Sequence, residues 1–397
     1  MNPHQMPRGR SMSDRYFEEQ LASLRNQGLF RELSFQPESP AEGQTLLNFS
    51  SNDYLGLVKD PRLKLAAIRA IQEYGSGSSA SRLMAGHSKL AEELESDLAR
   101  MMGTEAALVF GSGFLTNLGV LSSIAAKEDE VFSDQLNHAS IIDGIRLSRA
   151  RCSPYRHKDM DHLEGLLKKS RMPGKKIIVS ESVFSMDGDV APVGHLSALA
   201  ERYDAILVID EAHAVGVMGK NGGGVCSIPE DAVRSDIVVG TLSKALGCYG
   251  GFAACSNTIR QFLINKARTF LYSTALPPAC LGSAREAVAI ISSCPEMGRN
   301  LLEKAKRFRR LLADKGLNVL PFESQIVPVL VGDNETTVRF ATLLNDEGLG
   351  VRAVRPPTVP AGTARIRLSI SLSMPGEALE KAADIMAGAA RETGLLQ

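Results

Sequence analysis

Two short stretches concentrate the side chains most suited to chemistry. Asp210-Glu211-Ala212-His213 sets a carboxylate and an imidazole at the end of the apolar run Ala205–Ile209, and Thr241-Leu242-Ser243-Lys244 sets a primary amine after a second run, Asp236–Gly240. An ionised carboxylate at the mouth of a buried sheet needs a partner, which a protonated heterocyclic nitrogen supplies; the same residues alone also read as a helix-capping aspartate with a surface histidine. Beside Leu242, Ala245 and Leu246 an ammonium loses water, its pKa falls, and the free amine needed for a Schiff base becomes available. The alternative is an ordinary solvated lysine.

Weaker signals lie nearby. Ser112-Gly113-Phe114 follows the run Ala106–Phe110 and opens a helical stretch, so its N–H groups and the positive dipole end suit a phosphate, with Gly111 and Gly113 permitting close approach. Strand, glycine and helix succeed one another in most α/β chains for geometric reasons, so this signal is unspecific by itself. His138 follows the run Glu130–Ser133 and offers a ring to stack on a flat ligand. The remaining histidines (His4, His87, His157, His162, His195) show no HxxxH or HExxH spacing, so no metal is expected, and no GxSxG elbow marks a hydrolase serine. Gly219–Gly224 lacks the Gly-Lys-Ser/Thr ending of a nucleotide loop and reads as a flexible connection.

The elements that must position these groups alternate. Apolar runs at Ala106–Phe110, Glu130–Ser133, Lys176–Ser180, Ala205–Asp210, Asp236–Gly240 and Gly251–Cys255 are separated by helical stretches, one of them periodic in Leu90, Leu94, Leu98 and Met101 between a Ser88 cap and a Gly103 stop. Such alternation predicts βαβ crossovers and a large, mainly parallel sheet between helices, with ligands at the carboxyl ends of the strands. After about Cys294 the pattern changes to helix, strand, helix, strand, helix, a smaller α+β domain. The expected division is an N-terminal segment over 1–58 packing on the small domain, a large domain over 59–293 and a small domain over 294–397.

Composition narrows the function classes. Lys plus Arg and Asp plus Glu number 45 each, so the formal charge is zero, against a nucleic-acid or polybasic membrane partner. With 44% hydrophobic and 23% charged residues the chain is ordinary for a globular protein, and no apolar run approaches the ~20 residues that span a bilayer. The polar start without an apolar core to a signal makes cytoplasm the expected location. Six cysteines without a CxxC pair read as reduced packing residues.

Asp210-Glu-Ala-His213 followed by Thr241-Leu-Ser-Lys244 resembles the signature of fold-type I pyridoxal-phosphate enzymes, and the conjunction is far more specific than its parts. Within that superfamily, Asn48-Phe-Ser-Ser-Asn52-Asp-Tyr-Leu-Gly56-Leu, Gly75-Ser-Gly77 with Ser81-Arg82, Ser182-Val-Phe-Ser185-Met-Asp187-Gly-Asp and Tyr272-Ser273-Thr274 look like the α-oxoamine synthases, which condense an amino acid with an acyl thioester and lose carbon dioxide. The stretch Arg355 to Ser369 is most similar to the member that serves biotin synthesis. That implies L-alanine and pimeloyl-CoA, or a carrier-bound pimeloyl thioester, as substrates. Glycine C-acetyltransferase, 5-aminolevulinate synthase and serine palmitoyltransferase share the core motifs and are the alternatives within the class; a non-catalytic partner subunit is the alternative outside it. A nicotinamide dehydrogenase is disfavoured, since no GxGxxG follows the first clear strand.

The resemblance implies pyridoxal 5′-phosphate as cofactor and a role for each matching residue. Lys244 would hold the cofactor, Asp210 would pair with its ring nitrogen, and His138 would stack on the ring. His213 and Ser185 would lie near its phenolic oxygen. Ser112, Gly113, Phe114 and Thr241 would serve the phosphate, with Ser273 and Thr274 reaching it from the partner subunit of a homodimer whose active sites sit at the interface. Arg367 would bind the amino-acid carboxylate, while Asn52, Arg355 and Thr358 would orient the substrates.

Overall fold

The computed structural model describes residues 12–27, 29, 30, 33, 47–228 and 234–396. It divides into two units, Met1–Leu46, which holds the helix Met12–Asn26, and Leu47–Gln397, which holds every element below. Of the N-terminal segment expected over 1–58, residues 1–11, 28, 31, 32 and 34–46 lie outside the described residues.

In chain order the strands are β1 (Leu47–Asn48), β2 (Ala106–Phe110), β3 (Glu130–Asp134), β4 (Arg151–Tyr155), β5 (Lys176–Glu181), β6 (Ala205–Asp210), β7 (Ile237–Thr241), β8 (Gly251–Cys255), β9 (Ile326–Gly332), β10 (Leu349–Gly350), β11 (Ala353–Val354) and β12 (Ala364–Ser369). Seven form one sheet in the order β2-β8-β7-β6-β5-β3-β4. All run parallel except β8, which is antiparallel to both its neighbours. The strands read as unbroken apolar runs because both faces are covered. Side chains alternate, so Leu108, Val131, Val179, Val208 and Val239 enter one core with the helices Gly113–Ile124 and Ala139–Ser148, while Val109, Phe132, Ile178, Ile209 and Val238 enter the other.

The six expected runs are all strands, with one shift and one omission. Asp236 stands outside β7, where its carboxylate accepts from Leu207 N at 2.8 Å and ties the entries of β6 and β7 together. Strand β4 was not expected, because Pro154 and a mostly exposed pattern disguise it; at the sheet edge the missing proline N–H costs no ladder bond. Its Cys152 is exposed, against the expectation of a packing residue, whereas Cys255 is buried.

Local signals behave as their chemistry dictates. Ser88 Oγ accepts from Ala91 N at 3.3 Å to start the helix Lys89–Met102, and Gly103 ends it in the left-handed region at φ 70°. Near the C-terminus, β11-β12-β9 make a separate antiparallel sheet, and β1 pairs in parallel with β10. Phe49, just after β1, stacks on Phe308 with ring centroids 5.6 Å apart, and Ser369 N donates to Phe49 O. Chain just beyond residue 47 is thereby laid against β12, which carries Arg367. Among the described residues no helix is long and apolar enough to cross a membrane.

Candidate active site

The carboxyl ends of β2, β3, β5, β6 and β7 deliver Ser112, His138, Glu181, Asp210 and Lys244 to one edge of the sheet. Glu181 and Asp210 are the last residues of neighbouring strands and are paired in register. Lys244 follows β7 by three residues, and its Nζ lies 2.8 Å from His213 Nε2. Burial strips water from the ammonium and pulls the lysine down to about 8, although Asp210 and Glu181 oppose the fall. His213 is buried and held well below the ordinary histidine value, first by burial and then by the positive charges of Lys244 and Arg367. The imidazole is therefore neutral at neutral pH.

Asp210 is buried and forms no ion pair among the described residues. Its Oδ1 accepts from Ala212 N at 2.9 Å and its Oδ2 from Asn117 Nδ2 at 2.7 Å. Asn117 gives its second N–H to Ser140 Oγ at 3.0 Å, and that hydroxyl lies 2.8 Å from His138 Nδ1. Ser140 N donates to that nitrogen. His138 Nδ1 is thus an acceptor, and burial lowers the pKa of its ring against the pull of Asp210, so a neutral His138 carries its proton on Nε2. Its ring remains exposed and meets Phe114 edge-on at 6.4 Å.

Ser112 caps the helix Gly113–Ile124, its Oγ accepting from Leu115 N, so Gly113 and Phe114 present first-turn N–H groups that have no acceptor within the helix. Thr241 sits close by: a Cβ on Gly113 would lie 3.3 Å from Thr241 Cβ. Thr241 Oγ1 is engaged with Ser243 Oγ at 2.8 Å and Gly250 O at 3.0 Å. A phosphorylated pyridine aldehyde fits these donors: a desolvated amine, a buried carboxylate lacking a cation, an open imidazole face and a helix N-terminus. Asn117 Oδ1 and Glu181 Oε1 are buried without a hydrogen-bond partner, which marks the floor of the site as incompletely satisfied.

Arg367 on β12 reaches the same cluster. It donates to Ser185 O, to Asn52 Oδ1 at 3.1 Å, to Ser369 Oγ at 2.7 Å and to Tyr54 Oη at 3.2 Å. Two residues earlier on the same face of the strand, Arg365 pairs with Asp187, so both arginines brace the segment that holds Ser185. Arg355 is half-buried and Thr358 exposed on the loop after β11. Thr274 bridges Ser81, and Ser273 and Thr274 line a small cavity with Arg82 and Gly111.

Sequence reasoning missed Asn117, Glu181, Tyr54 and Gln325. Asn117 was findable as a polar break in an otherwise apolar helix, Glu181 as a charge closing an apolar strand. The Gly219–Gly224 connection is anchored at its far end. Buried Glu211 accepts from Val225 N at 3.0 Å and Cys226 N at 2.7 Å, and clasps the end of this run; a Cβ on Gly224 would lie 2.6 Å from the Glu211 carboxyl carbon. Among the described residues no cluster suits a metal ion.

Residues 44–386 match the family described as aminotransferase class I and II. A curated relative from Geobacter sulfurreducens, named 8-amino-7-oxononanoate synthase, is 46% identical over 385 residues, covering 95% of this chain and 98% of its own. Among solved structures, a serine palmitoyltransferase from S. paucimobilis with PLP and myriocin bound superposes with a TM-score of 0.90 at 28% identity, covering 98% of this chain and all of the other. An 8-amino-7-oxononanoate synthase from Francisella tularensis gives 0.74 at 28% identity over 88% of this chain and 98% of its own.

Proposed function

Because the chain belongs to the class I and II aminotransferase family, and within it to the α-oxoamine synthases, acyltransferases that depend on pyridoxal 5′-phosphate, we propose that it joins L-alanine to a pimeloyl thioester. The products are 8-amino-7-oxononanoate, carbon dioxide and the free thiol of coenzyme A or of a carrier protein, a step of biotin synthesis. The observation that carries this choice of substrates is the 46% identity, nearly end to end, with the Geobacter sulfurreducens enzyme, against 28% with serine palmitoyltransferase.

The cofactor supplies an aldehyde that combines with amines and a ring that takes up the electron pair left when a bond to the α-carbon breaks. The roles proposed for the chain's own side chains are those the family resemblance implies. Lys244 Nζ would hold the cofactor and, when free, would take the α-proton and later return one; a lysine drawn down to about 8 can do both near neutral pH. Asp210, oriented by Asn117 and Ala212 N, keeps the ring nitrogen protonated. His138 would lie against the ring and would donate from Nε2 to the keto oxygen of the condensing acyl group. Arg367 binds the alanine carboxylate bidentately with Asn52 beside it. Ser112, Gly113, Phe114 and Thr241 hold the phosphate, His213 and Ser185 attend the phenolic oxygen, and Arg355 and Thr358 orient the thioester.

The reading includes a cytoplasmic homodimer in which Ser273 and Thr274 serve the partner's phosphate. Exposed Leu83, Met84 and Tyr272 lie on the two segments joined by the Ser81–Thr274 bridge, a patch that a second subunit would cover. A second reading, a serine palmitoyltransferase type of specificity, is favoured by the higher TM-score, 0.90 against 0.74. Both are tested together: purified enzyme is given alanine, glycine or serine with pimeloyl-, acetyl-, succinyl- or palmitoyl-CoA, and free thiol and product mass are followed. Alanine with pimeloyl-CoA is expected to turn over fastest; preference for serine with palmitoyl-CoA would overturn the assignment.

A further inference from the structure

Tyr54 is buried, and its phenolic oxygen touches three groups that bear on the site: His213 Nδ1 at 2.7 Å, Asn52 Oδ1 at 3.0 Å and Arg367 Nη2 at 3.2 Å. A tyrosine hydroxyl has one proton to give and two lone pairs to offer. Arg367 only donates, so it takes one lone pair. Asn52 presents its amide oxygen, an orientation fixed independently because Arg367 Nη1 donates to that same atom, so the hydroxyl proton goes there. With the hydroxyl proton on Asn52, what is offered to His213 is a lone pair, which assigns the imidazole proton to Nδ1. Nε2 is then bare, and it is the atom 2.8 Å from Lys244 Nζ.

We infer that Tyr54 is a positioning residue for the catalytic lysine: its hydroxyl fixes His213 with the proton on Nδ1, so that Nε2 is the acceptor that receives Lys244 whenever the lysine is free. The inference rests on the reading of Lys244 as the cofactor lysine and of Arg367 as the carboxylate anchor. The backbone of Tyr54 is pinned for such a task, its N–H donating to Asn52 O at 2.8 Å and its carbonyl accepting from Leu372 N at 2.7 Å. The far side of His213 is pinned as well, since Gln325 Nε2 donates to its carbonyl at 2.6 Å. The charged groups acting on the Lys244–His213 pair are Asp210 and Glu181 on the strand ends, Arg367 on β12 and His138. None of them hydrogen-bonds His213 Nδ1; Tyr54 alone does so among the described residues.

Tyr54→Phe keeps the ring and removes the hydroxyl. Without that acceptor His213 is expected to shift its proton to Nε2, which repels an ammonium on Lys244. In the loaded enzyme kcat should fall roughly 10- to 100-fold, its lysine-controlled pH limb should move to lower pH, and KM for the amino acid should change less than about 3-fold, because Arg367 keeps Asn52, Ser369 and Ser185. A direct reading comes from full-length protein freed of cofactor, where Lys244 is a free amine. Histidine ¹⁵N NMR should show His213 protonated on Nδ1 in the parent and on Nε2 in Tyr54→Phe. A parent protonated on Nε2 overturns the inference even if the variant does not fold, and so does a Tyr54→Phe protein that loses activity with tautomer and pH limb unmoved. Failure of the substrate assignment would show instead as the wrong amino acid or thioester being preferred, with the NMR result intact.

Discussion

His213 and His157 both lie at the carboxyl edge of the seven-stranded sheet, and their surroundings leave them in opposite states. Burial disfavours the charged form of each. For His157 two carboxylates override it: Nδ1 meets Asp134 at 2.9 Å, Nε2 meets Asp189 at 2.8 Å, and the ring is pushed up to about 9. Lys158 adds a second cation on Asp189 at 2.7 Å, so two positive and two negative charges close on one another in direct contact. Around His213 two cationic side chains and two carboxyl groups are again present, but spread out. Lys244 and Arg367 face Asp210 and Glu181, yet the hydrogen bond of the lysine goes to a neutral imidazole and Glu181 keeps a bare oxygen. The paired cluster is a clasp on the segment of Phe184 and Ser185, with the Phe184 ring edge-on to His157 at 4.4 Å. The unpaired one stores the reactive protonation states, because groups that satisfied each other would have nothing left to offer a substrate.

Substitutions can sharpen or break this contrast. The largest effect is expected for Lys244→Ala, which should abolish turnover and the visible band of lysine-bound cofactor without loss of stability, since a desolvated cation is removed. Residual thiol release at the parental rate would end the lysine's assignment.

For His157→Gln the balance should reverse. Leaving Asp134 and Asp189 short of a cation should cost about 3 kcal/mol of stability below pH 6.5. Because the folded protein holds this proton more tightly than the unfolded chain, the contribution is complete below the ordinary histidine value and fades as pH rises through about 9. Urea unfolding at pH 6 and pH 10 checks the sign; a gap that widened at pH 10 would contradict the clasp.

Asn117→Ala should fall between the two in kind. It removes one of the two donors to Asp210, and loss of a hydrogen bond to a charged group, about 2 kcal/mol, corresponds to roughly 30-fold in turnover. Steady-state kinetics with cofactor in excess separates this from weakened cofactor binding.

The smallest effect on turnover belongs to Glu181→Gln. Burial, reinforced by Asp210, raises the Glu181 carboxyl from 4.5 to about 8, so the folded state favours the protonated acid and loses stability as pH rises across that window. Glutamine mimics the protonated acid. The variant should match the parent at pH 4.5 and melt higher than it at pH 8.5. Parallel melting curves at all pH values would show that Glu181 is ionised throughout.

Much of this molecule is legible in the chain. Lys244, Asp210 and His213 were identifiable because each ends or follows an apolar run, and an open parallel sheet exposes those ends. The helix after Ser88 and the cap at Ser112 were readable for the same local reason. Tyr54 was not, nor was the pairing of Asn117 with Asp210, since the partners lie 159 and 93 residues apart, and no local period encodes which strand end will stand beside which loop. Strand β4 escaped because edge position, not pattern, is what tolerates Pro154.

What the sequence determined alone is the supply of reactive groups and the periodicity that builds the strands and helices carrying them, because covalent identity and side-chain alternation are local properties. What only the tertiary structure decided is how those groups are protonated. A lysine near 8, an imidazole held neutral and a carboxyl near 8 are set by lost water and by neighbours from distant segments, and electrostatic energy depends on distance through space and not on separation along the chain.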